Sequence, residues 1–170
     1  MQLKISEFTK ENAMEVCQWR YNDEYSIYDY PSWEEASKGK WGITIEEKRK
    51  NEFQSILNEK DEFCGYIRMI ESSDYILIGL GLKPELCGQG LGNQLMEIIK
   101  KQCFEKFPNK KICLEVREFN KRAIRCYEKD GFRVVDKYEK KTPLGSGEFW
   151  RMENTELVSL LFNINMIYLT

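Results

Sequence analysis

Apolar positions along the chain change spacing in a regular way. Leu3, Ile5 and Phe8 recur on a strand-like period, and Thr9 can cap a helix carrying Glu11 in its first turn and Ala13, Val16 and Cys17 on its apolar side. Residues 51–57 and 62–70 alternate apolar and polar side chains around Glu59, Lys60, Asp61 and Glu62, the pattern of a hairpin. Tyr75 to Leu82 is a further apolar run that Lys83 and Pro84 close. It carries Gly79 and Gly81 inside, and glycine within a strand marks a bulge or the close approach of a ligand's backbone. Leu91, Leu95, Ile98, Ile99 and Cys103 then fall on one side of a helix. Lys111 to Val116 reads as a strand. Asn120 can cap a helix through Ala123, Ile124 and Tyr127 that Gly131 ends, and residues 132–138 and 147–152 read as closing strands. Residues 33–49 read as helix and loop. The order β-α-β-β-β-α-β-α-β-β predicts an α/β (α+β) fold with a mixed sheet.

Composition narrows the chemistry. A length of 170 residues, 42% of them hydrophobic and 13% aromatic, suits one domain with a core of its own. Lys and Arg number 26 against 28 acids, with no basic block, which argues against nucleic acid as the main partner. The N-terminal stretch carries no sustained apolar run of the secretory kind. The apolar tail from Leu157 to Leu169 is short for a bilayer and is interrupted by Asn163 and Asn165. A cytoplasmic protein without a membrane partner is the expectation. Six cysteines, Cys17, Cys64, Cys87, Cys103, Cys113 and Cys126, stand singly and read as packed thiols rather than a disulfide framework. The chain has no histidine. Ser-His and Cys-His dyads, imidazole bases and histidine metal sites are therefore excluded, and no metal is expected. Proton transfer falls to carboxylate, Tyr, Lys, Cys or water.

Pro84 to Gly92 joins a strand to a helix, with Gly88, Gly90 and Gly92 at alternate positions. Such spacing lets backbone N–H groups converge ahead of a helix N-terminus, an arrangement suited to a pyrophosphate. An ordinary glycine-rich turn is the plain alternative. A nucleotide P-loop needs Lys after the last glycine, where Asn93 stands, and a dinucleotide fingerprint begun at Gly88 needs Gly or Ala at Asn93.

The run Leu82 to Gly92 resembles the acetyl-CoA-binding motif of the GNAT N-acetyltransferases, Q/R-x-x-G-x-G/A. Cys87-Gly88-Gln89-Gly90-Leu91-Gly92 keeps both motif glycines, with Cys87 where Arg or Gln is usual. Leu114, Glu115, Val116, Asn120, Ala123, Tyr127, Gly131 and Phe132 are similar to the family's later strand-Asn-helix-Tyr-Gly-Phe motif. The resemblance implies a GNAT-like domain over residues 1–152, an extension of unknown role over 153–170, and a mixed, mostly antiparallel sheet splayed at two parallel strands, 75–82 and 111–116. It further implies direct attack of an amine on acetyl-CoA in a ternary complex, with the pantetheine arm lying between those strands. Leu80, Gly81, Leu82, Cys87, Gly88, Gln89, Gly90, Leu91, Gly92, Asn120, Ala123 and Tyr127 are then the cofactor-binding candidates.

Tyr127 is the candidate acid for the leaving thiolate, against the reading of a tyrosine packed under its helix. Glu115 is the candidate base, twelve residues earlier, the spacing of the base and acid proposed in ribosomal-protein alanine acetyltransferase-like members. A salt-bridged strand carboxylate, a water relay or an N-terminal acid are its alternatives. Between Trp19 and Trp33, Tyr21, Tyr25, Tyr28 and Tyr30 interleave with Asp23, Glu24 and Asp29. Rings and carboxylates together suit a cationic amine, so Asp23, Glu24, Tyr25 and Tyr28 are the acceptor-binding candidates, while half of these rings read equally well as core. The expected activity is acetyl transfer to a small-molecule or peptide amine. A non-catalytic acyl-CoA sensor is the rival, and a homodimer is one of the open assemblies.

Overall fold

Helix starts are set locally by side chains that cap them. A computed structural model of the chain describes residues 1–154. In it β1 (Lys4–Glu7) leads into α1 (Lys10–Val16), whose cap Thr9 accepts from the Asn12 N–H at 3.2 Å while Asn12 Oδ1 accepts from the Thr9 N–H at 3.1 Å. Ser32 and Glu35 form the same reciprocal box on α2 (Trp33–Lys38). Between these helices lies a 3₁₀ turn, Asp23–Tyr28, and after α2 another, Gly42–Thr44, precedes α3 (Glu46–Glu52). The strand expected from Asn51 thus begins only at Phe53, because Asn51 and Glu52 complete α3.

β2 (Phe53–Leu57), β3 (Phe63–Glu71) and β4 (Tyr75–Leu82) follow, then a 3₁₀ turn at Pro84–Leu86, α4 (Leu91–Lys106), β5 (Lys111–Arg117), α5 (Lys121–Lys129), β6 (Phe132–Thr142) and β7 (Gly145–Asn154). The seven strands lie in the order β1-β2-β3-β4-β5-β7-β6. β1/β2, β2/β3 and β5/β7 pair antiparallel, and β4/β5 parallel. The mixed sheet of the sequence reading is therefore present. Its parallel ladder runs from Tyr75↔Lys111 to Ile78↔Leu114, while the strands themselves continue to Leu82 and Arg117.

β6 and β7 outrun the expected 132–138 and 147–152. Residues 139–142, Glu-Lys-Lys-Thr, carry no apolar alternation, yet β6 is the last strand of the sheet, where charged side chains protect an open edge. Gly145, at φ 104°, makes the turn that returns the chain as β7. β7 reaches Asn154, so the first two residues of the expected extension are strand, and the rest lies outside the described residues.

Two compact units divide the chain. The first comprises Met1–Met69, Gly79–Leu91 and Lys141–Ser146. Phe8, Ala13, Val16, Trp19, Ile43, Phe53 and Phe63 form its core, with Tyr21, Tyr30, Trp33, Trp41 and Tyr66 packed against it. The second comprises, among the described residues, Ile70–Ile78, Gly92–Lys140 and 147–154. Leu95, Met96 and Ile99 of α4, Ile112, Leu114 and Val116 of β5, Ile124 of α5 and Met152 of β7 are buried there. The alternate residues of β5 that the periodicity assigns to one side are among them.

Candidate active site

The end of β4 is shaped by two glycines with no room for a side chain. A Cβ at Gly65 would stand 2.5 Å from the Gly81 carbonyl oxygen, and one at Gly81 would stand 2.6 Å from the Tyr66 ring. The close approach that Gly81 was expected to allow a ligand is thus already made by a neighbouring ring. Tyr66 lies among Trp19, Phe8 and Phe53, with ring centroids about 6 Å apart. Burial raises its phenol well above the ordinary range, and Tyr30 beside it adds to the rise. Gly79 is exposed, and its nearest neighbour would be Arg68 Cβ at 3.9 Å.

The glycine loop continues from that strand. Cys87 turns its Sγ back toward the Leu82 and Lys83 carbonyl oxygens, at 3.8 and 3.5 Å. The Gln89 amide donates to the Glu85 carbonyl at 2.7 Å, bracing the loop from inside. Gly88 and Gly90 both stand at φ 80°, a left-handed conformation that costs other residues about 1–2 kcal/mol. A Cβ built at Gly90 would meet nothing within 4 Å. The cradle above Gly90 is therefore open, and only φ and a ligand would demand glycine there. α4 starts at Leu91 and runs 16 residues with no acid in its first turn, so no carboxylate there offsets the positive end of its dipole.

Gly92, in the second unit, serves another purpose. A Cβ there would lie 2.6 Å from Cys126 Sγ, so this glycine lets α4 approach α5. The three glycines read as one nest therefore divide into two with left-handed backbone and one for helix packing. Burial, then Asp130, raises the Cys126 thiol, consistent with a packing role. Asn120 Oδ1 accepts from the Ala123 N–H at 3.1 Å, the cap expected for α5. Tyr127 is half-buried on α5, its ring tilted against Phe132 at 6.2 Å.

Glu115 is the first β5 residue past the parallel ladder, and it is engaged on both carboxylate oxygens. Tyr138 Oη donates to Oε1 and the Lys140 ammonium to Oε2. Burial pulls its pKa upward, but Lys140 and Tyr138 outweigh burial, and the carboxylate is held below its ordinary 4.5. The same contact, together with burial, pushes the Tyr138 phenol far up. Neither partner was named from sequence. Both stand at alternate positions in a charged strand without an apolar signal, so only the period-2 spacing of Tyr138 and Lys140 could have drawn attention to them.

The acceptor candidates fall together on the turn Asp23–Tyr28. Asp23 and Glu24 are exposed, and Tyr25 and Tyr28 half-buried. Asp23 sits at φ 53°, and its carbonyl oxygen accepts from Ser26 Oγ at 2.8 Å. Trp19, Tyr21, Tyr30 and Trp33 belong to the core instead, so the rings of this segment divide between the two roles.

Residues 12–132 match the family model described as the acetyltransferase (GNAT) family. The chain belongs to that family. The fold agrees: a spermidine N-acetyltransferase chimera from Vibrio cholerae and hSSAT superposes with a TM-score of 0.74 at 18% identity, covering 93% of this chain and 99% of that one. Spermidine N-acetyltransferase from Vibrio cholerae in complex with CoA and spermine gives a TM-score of 0.72 at 17% identity, covering 92% and 98%. No curated protein matches the sequence. Among the described residues no helix is long and apolar enough to cross a membrane.

Proposed function

We propose that the protein transfers an acetyl group from acetyl-CoA to a primary amine of a cationic small molecule or peptide, by direct attack within a ternary complex in the cytoplasm. The observation that carries this reading is the left-handed loop at Gly88 and Gly90, open at Gly90, ahead of an α4 whose first turn holds no acid. The loop suits the coenzyme's pyrophosphate, with backbone N–H groups of Cys87 to Gly92 as donors. Leu80, Gly81 and Leu82 would offer backbone groups to the pantetheine arm, and Asn120, Ala123 and Tyr127 of the later family motif are the further cofactor candidates. Asp23 and Glu24 would attract the acceptor's cationic groups, with Tyr25 and Tyr28 as aromatic walls. The amine-acetylating names of the structural neighbours favour an aliphatic polyamine-like acceptor.

In the reaction, the neutral amine nitrogen bonds to the thioester carbon and the C–S bond breaks. The sulfur takes the Tyr127 phenolic proton, and the amine gives its proton to a base. An ion-paired carboxylate is a weak base. We therefore take water as the first proton acceptor, with Glu115 reached only when Lys140 moves aside. That same ion pair supports a second reading, an acyl-CoA-binding protein that performs no transfer. Thiol release from acetyl-CoA across a panel of amines separates the two: acceptor-dependent release supports transfer, and CoA binding without release under any amine supports the sensor.

A further inference from the structure

Two links tie the N-terminal segment to the end of β4. The Tyr21 phenol donates to the Leu82 carbonyl oxygen at 2.8 Å across 61 positions of sequence. One residue on, the Lys83 ammonium pairs with Glu15 of α1 at 2.6 Å. Tyr21 also closes a loop on itself: its N–H donates to Asp29 Oδ1 at 2.8 Å, and the Asp29 N–H donates to the Ser26 carbonyl at 3.0 Å. Residues 21–29 are thereby a closed loop rooted on one tyrosine, and its crown is the turn bearing Asp23, Glu24, Tyr25 and Tyr28.

The tyrosine ring packs on the core of the first unit, a task phenylalanine would perform as well. The hydroxyl adds a bond to the last residue of β4. The Leu82 carbonyl oxygen also faces Cys87 Sγ at 3.8 Å, so the tyrosine and the glycine turn share one anchor on β4.

We infer that Tyr21 is a positioning residue for the amine acceptor, its phenol on the Leu82 carbonyl fixing the 21–29 loop against the end of β4. This rests on the reading that β4 carries the acetyl thioester and that the loop receives the acceptor. The bond sets the distance from the acceptor's binding groups to the acetyl group, and it belongs to the acceptor side of the reaction rather than to cofactor affinity.

The test is Tyr21→Phe in the full chain, with steady-state kinetics, CoA calorimetry and amide hydrogen exchange. The amine KM should rise about 3- to 10-fold, the scale of one net hydrogen bond, with CoA affinity unchanged. Exchange across residues 21–29 should quicken. Asp29→Ala, which opens the loop without touching β4, should raise the amine KM in the same direction. Wild-type kinetics and wild-type exchange in Tyr21→Phe overturn the inference, as does an equal loss of CoA affinity and amine affinity, which marks a general loosening of β4. A wild-type protein that acetylates no amine overturns the acetyltransferase reading itself, and the acceptor role falls with it. An active wild type with an unaltered Tyr21→Phe variant sinks the inference alone.

Discussion

A tyrosine and a phenylalanine at position 127 differ by one hydroxyl, which makes the substitution a clean probe of the acid role. Packing against Phe132 survives the change, so melting should move little. If the phenol protonates the departing thiolate, Tyr127→Phe should slow single-turnover acetyl transfer by about 10²–10⁴-fold. A thioester with a better leaving group should recover more of the variant's rate than of the wild type's. Glu115 lends itself to a stability test. Its folded pKa lies below the ordinary 4.5, so it stabilises the fold in full above that value and loses the contribution as pH falls through the folded pKa. The melting advantage of wild type over Glu115→Gln should therefore be largest near neutrality and shrink with acidification below about pH 5. An advantage that stays constant over that range would refute the ion pair as its source. Glu115 and Tyr127 could be proposed from sequence because strand-Asn-helix-Tyr is a linear motif. Tyr138 and Lys140 were not, because they reach Glu115 across strand pairings that bring positions 23 and 25 residues apart together.

At the level of elements, caps and periods carried most of the information, and glycines carried the part that needed coordinates. Thr9, Asn120 and Gly131 mark helix ends by local chemistry, so they could be read directly. Helix α3 could not: Ile45 makes no side-chain cap, and the apolar alternation of Phe53 to Leu57 blurs into its last turn. The glycines of β3 and β4 look alike in sequence and differ in space. Gly65→Ala would drive a methyl against the Gly81 carbonyl, a backbone atom that cannot step aside, and overpacking of this kind costs about 1–3 kcal/mol. Gly79→Ala would meet only ordinary contact and should be neutral or slightly stabilising, since it also restricts the unfolded chain. Chemical denaturation of the two variants should separate them clearly. Equal stability would mean that β3 and β4 can spread locally at little cost.

For the whole molecule, the glycine loop supplies the most direct experiment, because a ligand that binds only the folded chain raises its stability by mass action. At 100 times its dissociation constant, that gain is about 2.7 kcal/mol. Acetyl-CoA and CoA should therefore both raise the melting temperature, increasing with ligand concentration, and NADH should not at equal concentration. Gly90→Val tests where the effect arises. Nothing lies within 4 Å of a Cβ there, so the first side-chain carbon meets no protein atom; the costs are the left-handed φ of 80° and the filling of the open cradle. The first cost lowers the melting temperature of the unliganded variant. The second removes the CoA-induced shift, and the two are read separately from melts with and without ligand. Tyr127→Phe keeps the ring and should keep most of that shift while losing turnover, which separates the phenolic proton's chemistry from pyrophosphate binding at the glycine loop. A Gly90→Val protein that retains the full CoA shift would put the pyrophosphate elsewhere on the chain. The left-handed glycines would then be turn formers alone.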